Sequence, residues 1–94
     1  MLMDSVFKAL ADPTRRLILD TLSEEENQTL FELRTRLIME HNVDMSRQAI
    51  TKHLAILEQV GLVTAARSGR YKQLHLNRQP MSEIAQWLEK YRSN

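Results

Sequence analysis

Between Ser46 and Lys52 the chain reads Ser46-Arg47-Gln48-Ala49-Ile50-Thr51-Lys52, a run whose polar members fall on one side of a helix. Each polar side chain there has a chemical partner on duplex DNA. Arg47 matches O6 and N7 of guanine, Gln48 matches N6 and N7 of adenine, and Thr51 suits a thymine methyl or a phosphate. Lys52 supplies a phosphate charge. Ser46 brings a hydroxyl to a helix start, where free backbone N–H groups already favour an anion. His53, next in line, is expected to pack or to bond a phosphate. Further along, Arg67 and Arg70 stand on either side of Ser68-Gly69, and with Tyr71 they form a hairpin tip able to reach a minor groove or a sugar-phosphate backbone. A surface hairpin with incidental arginines is the plainer reading; the polar helix face just before it argues for a joint role.

Other chemistries fit the residues poorly. The chain has no cysteine, which excludes disulfides, zinc-thiolate sites and thiol redox switching. His41, His53 and His75 fall on different elements, with no histidine four residues away and no nearby pair of acids, so no metal site and no cofactor is expected. Ser46 and His53, seven residues apart on one helix, would be separated by about 10 Å along its axis. That is too far for a nucleophile and its base, and no enzyme is expected.

The elements that must position these residues are legible from periodicity and capping. Met3, Val6, Phe7 and Leu10 suggest a first helix over about 3–11. Asp12-Pro13 restarts the chain as N-cap and first helical residue of a second helix, ending near Ser23. Thr29 and Glu32 have the capping-box spacing, so a third helix begins there, with Leu30, Leu33, Leu37 and Ile38 on one side, and frays near His41. Ser46 caps a fourth, whose Ile50, Leu54 and Leu57 share a face and which stops at Gly61. Two strands, Leu62 to Ala66 and Tyr71 to Leu76, flank the Ser68-Gly69 turn. Gln79-Pro80 starts a last helix reaching Arg92. The expected fold is mainly α with a small β-hairpin, in the order α-α-α-α-β-β-α, as a single domain over 1–94 with a helix-turn-helix at about 30–60 and a wing at about 62–76.

Composition agrees with one soluble core: 43% of residues are hydrophobic and 27% charged, and 94 residues leave room for little more. The net charge of +1 conceals a segregation. Ser23 to Val43 carries a net −3, whereas Asp44 to Lys72 carries +3 through Arg47, Lys52, Arg67, Arg70 and Lys72, so a local cationic surface is expected in the second half. A start of Met1-Leu2-Met3-Asp4 offers no signal peptide, and no stretch has the length of a membrane span, which points to the cytoplasm.

Three blocks, Phe7 to Leu19 (FKALADPTRRLIL), Ser46 to Leu57 (SRQAITKHLAIL) and Gly61-Leu62-Val63, resemble the ArsR family of bacterial winged-helix repressors, and the likeness extends over about Val6 to Tyr91. It implies a homodimer whose terminal helices, about 3–11 and 80–92, pack across a two-fold axis, with the fourth helix and wing of each subunit on double-stranded DNA. The residues support this independently. Met3, Phe7 and Leu10 at one end, with Trp87, Leu88 and Tyr91 at the other, are more apolar surface than two terminal helices of so small a domain need. The alternative is that both stripes serve the monomer core. Many relatives sense metals through third-helix cysteines or through acid and histidine ligands in the last helix. Neither set is present, so the chain resembles the branch without those sites. The implied function is a sequence-specific repressor of a palindromic operator, with autoregulation of its own operon as one form of it. Two rivals are a winged helix used for protein contacts, against which the basic wing argues, and a repressor gated by a small molecule, for which no ligand constellation is visible.

Overall fold

A computed structural model describes residues 2–93, as helices α1 (Leu2–Leu10), α2 (Pro13–Glu24), α3 (Leu30–His41) and α4 (Arg47–Gln59), strands β1 (Val63–Ser68) and β2 (Tyr71–Leu76), and helix α5 (Gln79–Glu89). Local chemistry sets the boundaries. Asp12 Oδ2 accepts the Arg15 N–H at 2.9 Å, capping α2 with Pro13 in its first turn. The next two arginines face backwards: Arg15 Nε donates to the Ala9 carbonyl at 2.7 Å and Arg16 Nη1 to that of Leu10 at 2.6 Å, satisfying the last carbonyls of α1. The Thr29–Glu32 capping box forms in full, with the Glu32 amide on Thr29 Oγ1 at 3.2 Å and the Thr29 amide on Glu32 Oε1 at 2.9 Å.

The end of α3 differs from the expected fraying. Asn42 adopts a left-handed conformation (φ 56°), its N–H reaches Ile38 O at 3.2 Å, and the Val43 N–H reaches back to Leu37 O at 2.9 Å. This is a closed Schellman-type cap, which asparagine supports almost as glycine does. Gly61 (φ +80°) serves the same purpose after α4, with the Leu62 N–H on Leu57 O at 2.9 Å.

The core lies between α2, α3 and α4 and the base of the hairpin, where Ile18, Leu33, Leu37, Ile50, Leu57, Leu62 and Val63 are fully buried. Val6 and Ala9 of α1, Leu74 of β2 and Ile84 of α5 close it. Strands β1 and β2 pair antiparallel, Val63 opposite Leu76 through Ser68 opposite Tyr71. The turn is therefore Gly69-Arg70, not Ser68-Gly69: Ser68 belongs to the ladder, and a two-residue turn with positive φ at its first position places glycine there (φ +63°). Helix α5 is also shorter than its periodicity suggests. Beyond Glu89 the amides of Tyr91 and Arg92 bond only three residues back, so Tyr91 sits in a closing turn.

One joint has no local signal in the sequence. Gln28 is buried; its Nε2 donates to the carbonyls of Thr21 and Glu25, both at 2.8 Å. Its backbone carbonyl accepts the Leu74 N–H at 2.7 Å, an isolated antiparallel rung that ties the α2–α3 connection to the hairpin.

Candidate nucleic-acid interface

Helix α4 buries Ile50, Leu54 and Leu57 and leaves Gln48, Thr51, Lys52 and Ala55 exposed on the opposite side. The leucine face fixes the helix against α2 and α3, so the polar face is held rigidly outward. At its start Ser46 Oγ accepts the Ala49 N–H at 3.1 Å, which leaves the hydroxyl proton and the first-turn amides directed off the helix end. Helix α3 contributes a residue absent from the expected set: Arg34 Nε donates to Met45 O at 2.8 Å and its Nη2 lies 3.6 Å from Asp44 Oδ1. Leu30, Arg34, Ser46, Arg47, Gln48, Thr51 and Lys52 together line one open groove between α3 and α4.

The hairpin closes a second cleft beside it. Paired residues of an antiparallel ladder share a face, so Val63/Leu76, Ala65/Leu74 and Arg67/Lys72 form one row. That row packs on the core at its base and becomes cationic where it runs past the core's edge. Arg67, Arg70, Tyr71 and Lys72 thereby overhang Arg47 of α4 and Thr29, Leu30, Phe31, Glu32 and Arg34 of α3 around a common cleft. Like charges directly opposite across a ladder, as at Arg67 and Lys72, destabilise a hairpin; an anion between them would reverse the sign. Among the described residues, no acid lies within 4.0 Å of Arg47, Lys52, Arg67, Arg70 or Lys72, whereas Arg36 and Arg92 each have a carboxylate partner.

The structure thus brings together Ser46, Arg47, Gln48, Thr51, Lys52, Arg67, Arg70 and Tyr71, and adds Arg34, Phe31 and Lys72. Lys72 was legible as one of the charges of the basic half; Arg34 was not, because only the crossing of α3 on α4 moves it out of the acidic half. His53 departs from the group. It lies on the flank of α4 beside the core, half-buried, with Nδ1 3.9 Å from Asp12 Oδ2 and without a hydrogen-bond partner. Asp12 is held below its usual carboxylate pKa, chiefly by the Arg15 backbone N–H and further by the charges of Arg15 and His53. His53 therefore packs against the cap of α2, away from the polar face of α4.

His75 lies half-buried on β2, opposite Thr64. The expectation that no histidine has two acids nearby fails at His41: α2 and α3 end side by side, which brings Glu24 to Glu40 and His41. Seventeen residues separate Glu24 from His41 in the chain, beyond the reach of local spacing rules.

The terminal helices divide the residues expected to be apolar surface. Met3 and Leu10 lean partly into the protein's own core. Phe7, Trp87, Leu88 and Tyr91 remain outward, at 36%, 38%, 52% and 70% exposure. Phe7 meets Trp87 edge-on with ring centroids 5.7 Å apart, and Trp87 meets Tyr91 at 5.2 Å, so the three rings make one contiguous patch spanning α1, α5 and the turn that closes it.

Comparison with known proteins agrees with the fold. Residues 10–65 match a helix-turn-helix domain family. The chain is 51% identical over 87 residues to the uncharacterized HTH-type transcriptional regulator YuzN of Bacillus subtilis, covering 92% of this chain and 95% of that protein. It is 34% identical over 86 residues to the transcriptional repressor SdpR of the same organism, covering 92% and 88%. Among solved structures, an ArsR-like transcriptional regulator from Rhodococcus sp. RHA1 superimposes with a TM-score of 0.79 at 36% identity, over 96% of this chain and 78% of that one. Fold, helix order and sequence converge, and the chain belongs to the ArsR family of winged helix-turn-helix transcriptional regulators, which bind DNA.

Proposed function

We propose that the protein is a homodimeric repressor of a palindromic operator, with α4 in the major groove and the hairpin as a wing on the adjoining backbone or minor groove. The observation that carries this reading is the set of cations around the α3–α4–hairpin cleft that no acid neutralises. Unpaired guanidinium and ammonium groups repel one another in the free protein and gain their partners from phosphates. Within that field Gln48 and Arg47 read base edges, while Ser46, Thr51, Lys52, Arg67, Arg70 and Lys72 set register on the backbone. Repression follows from steric occupation of a promoter and needs no catalytic group, and the relative SdpR is named a repressor. No helix among the described residues is long and apolar enough to cross a membrane, which suits work in the cytoplasm.

The dimer reading rests on the aromatic patch of α1 and α5. A two-fold axis through such a patch buries the same surface from both copies, and a symmetric operator requires the two recognition helices to meet successive major grooves, roughly 34–36 Å apart. Light scattering is expected to return twice the chain mass of 11.0 kDa at micromolar concentration; a monomer mass would defeat the symmetric-operator reading. For DNA, fluorescence anisotropy against the region upstream of the protein's own gene, beside a scrambled duplex and at two salt concentrations, is expected to show tight, salt-sensitive preference for the upstream sequence. Equal, weak binding to both would remove the autoregulatory reading.

A further inference from the structure

We propose a divalent transition-metal site, of the zinc class, at the joined C-terminal ends of α2 and α3, formed by Glu24, Glu40 and His41. One ligand atom from each residue, the imidazole nitrogen and a carboxylate oxygen from either glutamate, lies within 4.8 Å of the other two. His41 Nε2 is 3.9 Å from Glu24 Oε1, beyond hydrogen-bond length, and this buried nitrogen has no hydrogen-bond partner. It is an orphaned donor or acceptor aimed at a carboxylate pair. Glu40 is already oriented: its Oε2 receives Arg36 Nε at 2.7 Å, which leaves Oε1 for a cation and supplies the outer hydrogen bond that metal-bound carboxylates usually have.

Electrostatics at this end call for positive charge. Glu24, Glu25 and Glu40 gather where two helices terminate, so their charges add to the negative ends of two helix dipoles. Among the described residues Arg36 is the one arginine or lysine that answers them, 3.4 Å from Glu25 and 2.7 Å from Glu40, and Glu24 is left facing His41. The side chains of His41, Glu24 and Glu40 are 27%, 40% and 42% exposed, open enough for an ion to enter and for the glutamates to turn inward. With metal–ligand bonds of about 2.0–2.1 Å, tetrahedral ligand atoms sit about 3.3 Å apart, a closure that glutamate rotation supplies. One imidazole and two carboxylates with water in the fourth position suit zinc or cobalt(II), and the nitrogen disfavours magnesium and calcium. An ion there would brace the last turn of α2 to the last turn of α3.

The test is calorimetric titration of the tag-free full-length protein with zinc chloride, beside magnesium chloride at equal concentration. One zinc per chain is expected, with magnesium giving no saturable heat. His41→Gln and Glu24→Gln, checked for native circular dichroism, should each weaken zinc by about tenfold or more, while His53→Ala and His75→Ala retain it. Cobalt(II) should give the visible absorption of a four-coordinate centre, lost in His41→Gln. Absence of saturable zinc binding, or an isotherm that His41→Gln leaves unchanged, overturns the site.

Discussion

The two ends of α3 carry opposite arrangements of charge. At its N-terminal end Arg34, Arg47, Arg67, Arg70 and Lys72 surround a cleft whose nearby acids are engaged, Glu32 in the Thr29 capping box and Asp44 3.6 Å from Arg34. About 16 Å further along the helix axis, the C-terminal end gathers Glu24, Glu25 and Glu40 around Arg36, in close ion pairs with that arginine for two of them. A small domain with a net charge of +1 has acids for all but one of its lysines and arginines. The fold keeps Arg47, Arg67, Arg70 and Lys72 apart from them, and these unpartnered cations mark the surface proposed to meet a polyanion.

The largest effect expected from disturbing this division is at Gln48. Gln48→Ala should weaken the preferred operator by about 1–3 kcal/mol while leaving scrambled DNA unchanged, since a bidentate base contact discriminates and a phosphate contact does not. Equal losses on both duplexes would move Gln48 from base reading to the backbone. Next, Arg70→Ala or Lys52→Ala should lower affinity for both duplexes alike and reduce the log–log salt slope by about 0.9 for each phosphate released. Arg36→Ala, at the acidic end, should change neither quantity; a changed slope would show that the division by helix end is too simple.

The footing of the cationic end supplies a third test. Asp12→Ala removes the α2 cap against which His53 rests and should cost about 1 kcal/mol of stability, read from denaturant midpoints. Because the folded-state pKa of Asp12 lies below its ordinary 3.8, the unfolded chain takes up that proton first. The contribution is therefore complete above that value and is lost as pH falls through the depressed one, so the difference between wild type and Asp12→Ala should shrink in acid. The smallest effect is expected from zinc on DNA binding. Saturating the acidic end should leave operator affinity unchanged, and a tenfold loss would make that end a sensor.

Local signals in the sequence carried most of the fold. The caps at Asp12, Thr29 and Ser46, the stop at Gly61 and the apolar faces of α3 and α4 depend on neighbours within a turn or two, so spacing alone exposes them. Gln48, Thr51 and Lys52 were legible as the side of α4 opposite its leucines. What escaped depends on contacts across the fold. Arg34 reaches Met45 only after α3 crosses α4, Gln28 meets Leu74 across 46 residues, and Glu24 meets His41 because two helices end together. The turn sits one residue beyond the Ser68-Gly69 signal because Ser68-Gly69 and Gly69-Arg70 both satisfy turn preferences, and only the strand register separates them.

The rung between Gln28 and Leu74 also sets how the wing moves. It holds β2 near its middle with a buried glutamine behind it, while the ladder beyond Arg67 has no third strand beside it. The hairpin is thus a lever with its fulcrum at Leu74. In hydrogen exchange the Leu74 amide should outlast those of the tip, the result expected if the arginines beyond it swing to follow a groove whose width varies with sequence.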